Sequence, residues 1–364
     1  IQVKGGASVT EQVVITRHGP IINTLSPELS GDTPLALRWT ALEPYNLMTA
    51  LAGMNAAKDC TQFTQALRHW SVPPQNVVSA DVHGNIAYTL AGYIPIRQAG
   101  DGRLPVPGWT GEYEWQGYIP FEELPHLFNP PTGYIATANN RVADEGYPYL
   151  LGFDYVGPGR ISRIHELIHS EEKIDPAFIA RMHTDQVSTI ARKTARAIAS
   201  LSSPDPELQI ILRRMQAWDG ILSADSCEAT VYHAFLMLLA HRLLDPVLGD
   251  LAPHYLGKGI TPVLAEGSML AEHAHEWITQ LLDQPASHWW DLGAGETRQE
   301  VMLAVLRQTV DFLKEKLGPD SRSWAWGKVH QLALGHVLGA KKPLDSLFNR
   351  GPYPLGGDSD TVWA

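Results

Sequence analysis

The sequence predicts an α+β chain, strand-rich up to about residue 165 and mainly helical beyond it. Three observations carry that expectation. Short β-branched and aromatic runs punctuated by Gly and Pro fill the first part, and apolar residues at helical spacing behind Asp-Pro starts fill the second. No internal repeat or low-complexity tract interrupts either. The expected division is a strand-rich stretch over 1–165 with a helical segment near 44–70, a helical stretch over 166–320, and a return segment over 321–364.

In chain order, "EQVVITRHGPII" alternates and then runs apolar, with Gly19-Pro20 as punctuation. "PYNLMTALAGMNAAKDCTQFTQALRHW" has helical period, with an interruption expected around Gly53 to Asn55. "NVVSADVHGNIAYTLAGYIPI" reads as two strands joined by a tight turn at Val82-His83-Gly84-Asn85. Residues 98–133 hold many Gly, Pro and Trp and read as an ordered loop, because its aromatic rings need a surface to pack on. In "TGYIATANNRVADEGYPY" a strand-like run, Tyr134 to Thr137, leads to Asn139 and Asn140; paired side-chain amides there suit either a turn or donors aimed into a cleft. Asp175 is a plausible N-cap with Pro176 at the first helical position. Further helices are expected in "DPELQIILRRMQAWDGIL", "EATVYHAFLMLLAHRLLDPVL", "SMLAEHAHEWITQLLD" and "TRQEVMLAVLRQTVDFLKEKLG".

Composition narrows the function classes. With 28 basic and 39 acidic residues the formal net charge is −11, which argues against sequence-independent binding to a phosphate backbone. Two cysteines, Cys60 and Cys227, make neither a disulfide framework nor a thiolate metal cluster, though a single bridge between them stays open. No stretch is apolar for long enough to span a bilayer.

One chemical motif stands out by pattern. His165-Glu166-Leu167-Ile168-His169 is a formal H-E-x-x-H: on a helix both imidazoles share a face and can hold zinc, with Glu166 as general base. The longer metalloprotease pattern fails at Ser170, Glu171 and Glu172, and only His183 or Asp185 lies near enough in sequence to be a third ligand. No G-x-S-x-G elbow, P-loop or dinucleotide glycine pattern occurs in a strand-to-helix context.

Four segments, "ITRHGPII", "SADVHGNIAYTLAGYIPIR", "GRLPVPGWTGEYEWQGYIPFEELPHLFNPPTGYIATANNRV" and "GRISRIHELI", together resemble the large chain of the penicillin acylases, members of the N-terminal nucleophile hydrolase superfamily. The likeness is collinear from about Thr16 to Arg163 and continues diffusely to "FNRGPYPLGGDSDT". It implies part of an αββα sandwich with a large helical region. It also implies a precursor cut into two chains, whose new N-terminal residue attacks an amide carbonyl with its own α-amine as base. That nucleophile is expected upstream of Ile1, which makes this chain a piece of the large chain that is inactive by itself. The missing N-terminal part of the precursor is the expected partner, together with a small acyl-amide substrate. No organic cofactor, nucleic acid or membrane span is expected, and the resemblance implies a periplasmic or extracellular location.

The resemblance also assigns residues. Asn139 matches the asparagine whose side-chain amide serves the oxyanion hole, while Asn140 stays structural, and Arg160 matches an arginine near the family's active site. Leu51 and Gln75 fall near positions lining the acyl pocket, and a polar Gln75 beside an aliphatic Leu51 speaks against a strict phenylacetyl preference. The carbonyl of Gly102 matches a ligand of a structural calcium, with Asp144 and Glu145 as nearby acids. Two other readings stay open: a zinc peptidase built on His165, Glu166 and His169, and a non-catalytic binding module presenting the aromatic loop from Trp109 to Tyr118.

Overall fold

Local sequence rules account for most of the elements. The computed structural model describes residues 1–25, 29–257, 269–291, 293 and 295–363, and it divides into two units. The first comprises Ile1–Thr137 and Arg141–Phe153; the second comprises Ala138–Asn140 and Asp154–Ala364.

The first unit carries seven strands among its described residues. β1 (Ile15–Thr16) and β2 (Gly19–Pro20) make a two-residue ladder. β3 (Gln75–Ala80) and β4 (Ile86–Ala91) form the expected hairpin, and β7 (His126–Phe128) pairs with the far side of β4. The 81–85 turn is built by Asp81, whose carboxylate accepts from the backbone N–H of His83 (2.9 Å) and of Asn85 (3.0 Å), with Gly84 at φ +86°. β4 is central in its sheet and almost wholly buried, which explains an apolar run where an edge strand would alternate. Its Tyr88 and Leu90 join Ile94, Ile119 and Leu124 in a small core. β5 (Pro95–Arg97) and β6 (Trp115–Tyr118) form a separate antiparallel pair.

The two helices of this unit correct one expectation. α1 (Leu47–Ala56) runs straight through Gly53, and the break comes later, before α2 (Cys60–Leu67). Asp59 makes the break by capping α2, its carboxylate accepting from the Gln62 N–H at 2.8 Å. Gly53 has a packing reason instead: a Cβ there would stand 2.8 Å from Cβ of Ala66 on α2. The strand-like run at Tyr134 to Thr137 also differs from expectation, since it joins no ladder among the described residues.

The second unit is a helical body around α7 (Cys227–Leu248), whose Phe235 and Leu239 are wholly buried. Packed on α7 are α5 (Thr189–Ala199), α8 (Ala252–Leu256), α9 (Met269–Leu281) and α10 (Arg298–Leu317). α6 (Pro206–Ala217) packs on α5, as does α3 (Gly159–His169), which precedes α4 (Pro176–Met182). Of the helix expected from Ser268, only the part from Met269 onward falls among the described residues. The start signals hold: Asp175 and Asp205 cap helices with Pro in the first turn, and Thr297 with Glu300 forms a full capping box. Trp290, Trp324 and Trp326 are buried in the same core. A hairpin of β8 (Gln331–Leu334) and β9 (Arg350–Pro354), with the short α11 (Leu344–Phe348) between them, precedes the last loop. The chain is therefore α+β, with four small antiparallel sheets among the described residues. Cys60 and Cys227 are free, buried thiols. No described helix is long and apolar enough to cross a membrane.

Candidate active site around Asn139 and Arg160

Asn139 sits in the left-handed region, at φ +62°. Few side chains other than Gly tolerate that conformation, and Asn is among those that do. Two contacts hold it there. Its carbonyl accepts from the Val156 N–H at 3.0 Å, and its side-chain Oδ1 accepts from Nη2 of Arg160 at 2.7 Å. The second contact fixes which way the amide points. A guanidinium carries donors only, so the atom facing it must be the carbonyl oxygen. Nδ2 therefore points away from Arg160, on a residue that is exposed. Asn140 does something different. Its Oδ1 accepts from the Ala138 N–H at 3.0 Å and shapes the turn.

Arg160 is the second residue of α3, on a helix whose N-cap, Pro158, offers no side-chain cap. Its Nε is buried and meets no hydrogen-bond partner among the described residues. Gly159, beside it, is wedged between neighbours: a Cβ there would lie 3.1 Å from Ile190 Cδ1 and 3.3 Å from Asp360 Oδ1.

Next to this segment is a cavity of about 30 Å³ lined by polar groups that include Asp154, His275, Glu276 and Asp360. That is room for about two waters. Burial, reinforced by His233, lowers the His275 pKa from 6.5 to about 4. The sign follows directly. As pH falls from about 6.5 toward 4, the unfolded chain takes up a proton that the folded chain refuses, so stability is complete above 6.5 and declines below it. At ~1.4 kcal/mol per pH unit the loss reaches roughly 3 kcal/mol near pH 4. A thermal unfolding series from pH 7 to pH 4.5 is expected to show a falling midpoint, and His275→Gln is expected to flatten part of that fall. An unchanged slope in the variant would contradict the assignment.

The zinc constellation does not assemble. His165 and His169 do stack one turn apart on α3, with ring centroids 6.3 Å apart. Glu166, however, accepts from Arg163 Nη1 at 2.9 Å, and Asp185 is gripped by the same guanidinium at 2.9 and 2.8 Å. Carboxylates so paired are poor candidates for base or ligand. Among the described residues no cluster of three His, Cys, Asp or Glu is arranged to hold a metal. In the loop from Trp109 to Tyr118 only Trp109 is an exposed aromatic, at 81 %, while Tyr113, Trp115 and Tyr118 are partly buried, so no continuous aromatic surface is presented.

The other assigned positions lie in the first unit. Leu51 is on α1 and Gln75 opens β3; both are exposed, and α2 packs against both elements. Gly102 turns at φ +86° with the Arg97 guanidinium against its open face, 2.8 Å from where a Cβ would be. Asp101 is paired with Arg103, and Asp144 caps its own turn through the Gly146 N–H. Both acids are thus engaged with neighbours, and among the described residues no group of three His, Cys, Asp or Glu stands ready to hold a metal.

Sequence reading passed over His233 and the acids of the 357–361 loop. Their signal was the Gly356-Gly357 pair ahead of Asp358. A Cβ on Gly357 would stand 2.3 Å from the Trp363 carbonyl, and one on Gly356 would collide with the Gln186 side chain. The Gln186 side chain could shift, but the Trp363 carbonyl and a φ of +72° require glycine at 357, which marks a loop held in one shape.

The fold has a counterpart among solved structures. It matches the solved thermostable penicillin G acylase of Alcaligenes faecalis with a TM-score of 0.70 at 20 % identity, over 89 % of this chain and 61 % of that one. Residues 1–364 match the penicillin amidase family, and the chain belongs to it. It is 31 % identical to the penicillin acylase 2 proenzyme of Pseudomonas sp. SE83, over 100 % of this chain and 45 % of that protein. It is 30 % identical to the acyl-homoserine lactone acylase QuiP of Pseudomonas fluorescens Pf-5, over 99 % of this chain and 45 % of that protein. Penicillin G acylase of Escherichia coli is 30 % identical, over 89 % of this chain and 40 % of its own length. The chain thus spans slightly under half the length of these relatives.

Proposed function

We propose that the full-length protein is a penicillin-acylase-type amidohydrolase that splits an acyl group from an amine through a nucleophile outside these 364 residues. The Asn139–Arg160 contact carries the reading. A donor whose direction is fixed before substrate arrives loses no reorganisation energy as charge develops on the carbonyl oxygen. Arg160, by donating to Oδ1, also polarises the amide and strengthens Nδ2 as a donor. In this reading Asn139 supplies one oxyanion-hole donor. The attacking residue and its α-amine base come from the rest of the protein, exposed by processing of a precursor.

The substrate class follows from relatives that act on penicillins and on acyl-homoserine lactones. Leu51 and Gln75 remain the proposed acyl-side positions by resemblance, and a periplasmic or extracellular location belongs to the same proposal. A structural calcium with the Gly102 carbonyl as a ligand belongs to the proposal by resemblance alone, and its further oxygens would have to come from other residues than Asp101, which is paired with Arg103.

A panel of acyl-homoserine lactones, β-lactams and chromogenic acyl amides, given to the full-length processed protein, tests the proposal. Stoichiometric release of free amine and carboxylic acid, insensitive to chelator, is expected. Activity lost to chelator, or product with an opened lactone or lactam ring and an intact acyl amide, would contradict it.

A further inference from the structure

The loop that follows β9 is bound more tightly than a connecting segment needs. Asp358 donates its N–H to Thr361 Oγ1 at 2.9 Å, and its Oδ1 accepts from the Asp360 N–H at 2.9 Å. Its Oδ2 lies 3.2 Å from Nε2 of His233, a close polar contact that is not aligned as a hydrogen bond, with both side chains mostly buried. His233 is stacked on Trp326 at 4.2 Å and 5°, and the Trp326 indole N–H donates to the Gly357 carbonyl at 3.0 Å. His233 comes from the central helix α7, so the loop is anchored to the most buried element of its unit.

What this anchoring delivers is one carboxylate in one place. Asp360 Oδ1 faces Gly159, the residue before Arg160, at the start of α3. That helix end has no side-chain cap, and a negative charge there is favoured by the N–H groups of the first turn, which point toward that end. The same residue lines the cavity behind 154–157, the segment whose Val156 N–H holds the Asn139 carbonyl.

We infer that Asp360, held by Asp358 and His233, is a positioning residue: it sets the first turn of α3 and thereby the reach of Arg160 to Asn139. The inference rests on the oxyanion reading of Asn139. It assigns the 357–361 loop a part in turnover without contact with substrate. Loss of the carboxylate leaves Arg160 present but free to choose other rotamers, so the Asn139 amide is aimed for only a fraction of the time.

The test uses the full-length, processed protein and any acyl amide it turns over. Asp360→Asn is expected to lower kcat by about 10-fold or more, with KM within about 2-fold. In an Arg160→Lys background the same change is expected to add less than about 2-fold, because the carboxylate acts through the guanidinium. A merely structural role would give losses that multiply in the two backgrounds, and that result overturns the inference. So does an unaltered kcat in Asp360→Asn. Asn139→Ala measured alongside separates the two levels. If it retains wild-type kcat, the oxyanion reading fails; if it is dead while Asp360→Asn is fully active, only the present inference fails. Should Asp360→Asn not fold, His233→Gln, which removes the contact to Asp358 and keeps both acids, carries the same comparison with a smaller expected loss.

Discussion

Asn139→Ala in the full-length, processed protein is expected to lower kcat by roughly 100- to 1000-fold, the size found on removing one oxyanion-hole donor in other hydrolases, about 3–4 kcal/mol. The expectation follows from geometry on a single residue. Asn139 is held at φ +62°, its carbonyl is tied to Val156, and its Oδ1 is tied to Arg160, which leaves Nδ2 as the free donor. The loss should fall on kcat and not on KM, because the oxyanion forms only after the nucleophile attacks. Steady-state rates across a range of substrate concentrations decide the matter. A rise in KM alone would make Asn139 a ground-state binding residue.

The second large effect concerns stability. Phe235 is wholly buried at the centre of α7, among the side chains that α10 and α9 press against that helix. Truncation to Ala removes an aromatic ring from a site hemmed in on several sides. An effect of about 3–5 kcal/mol on unfolding of the helical unit is expected. Fluorescence of the buried Trp290, Trp324 and Trp326 reports on that same core, so a denaturant titration followed by tryptophan emission can read the shift. A change below about 1 kcal/mol would mean that α7 is not the helix on which the unit is built.

Features governed by neighbours in sequence were legible. Asp175-Pro176 and Asp205-Pro206 announce helices because an N-cap and a first-turn proline act within one turn of chain. The 75–91 hairpin follows from its turn, since Asp81 and Gly84 need no distant partner. Features set at a distance were not. The glycine expected to interrupt the first helical stretch lies inside α1, and the reason, Cβ of Ala66, is on another helix. The run at 134–137 reads as a strand, but a ladder needs a partner that spacing does not supply. H-E-x-x-H satisfies the zinc pattern on paper, while Arg163 occupies both acids the chemistry would need.

The candidate site is divided in the same way. Residue-level reading left "ANN" open between a turn and a donor; Asn140 makes the turn, and Asn139, its Oδ1 held by Arg160, has the geometry the proposed donor role needs. Only the resemblance to the family singled out Asn139 and Arg160 beforehand. Nothing in the spacing shows that a guanidinium will orient the asparagine. His233 and Asp358 were invisible for a related reason, because a helix and a late loop meet only in the folded unit.

The most direct test of the oxyanion reading is the affinity of the processed full-length protein for a phosphonate analogue of the tetrahedral intermediate, compared between wild type and Asn139→Ala. A donor aimed at the developing oxyanion should lose analogue affinity by the same roughly 100- to 1000-fold as kcat/KM, while affinity for the product acid stays level. Equal affinity of both proteins for the analogue would contradict the account and return Asn139 to the role of a turn residue.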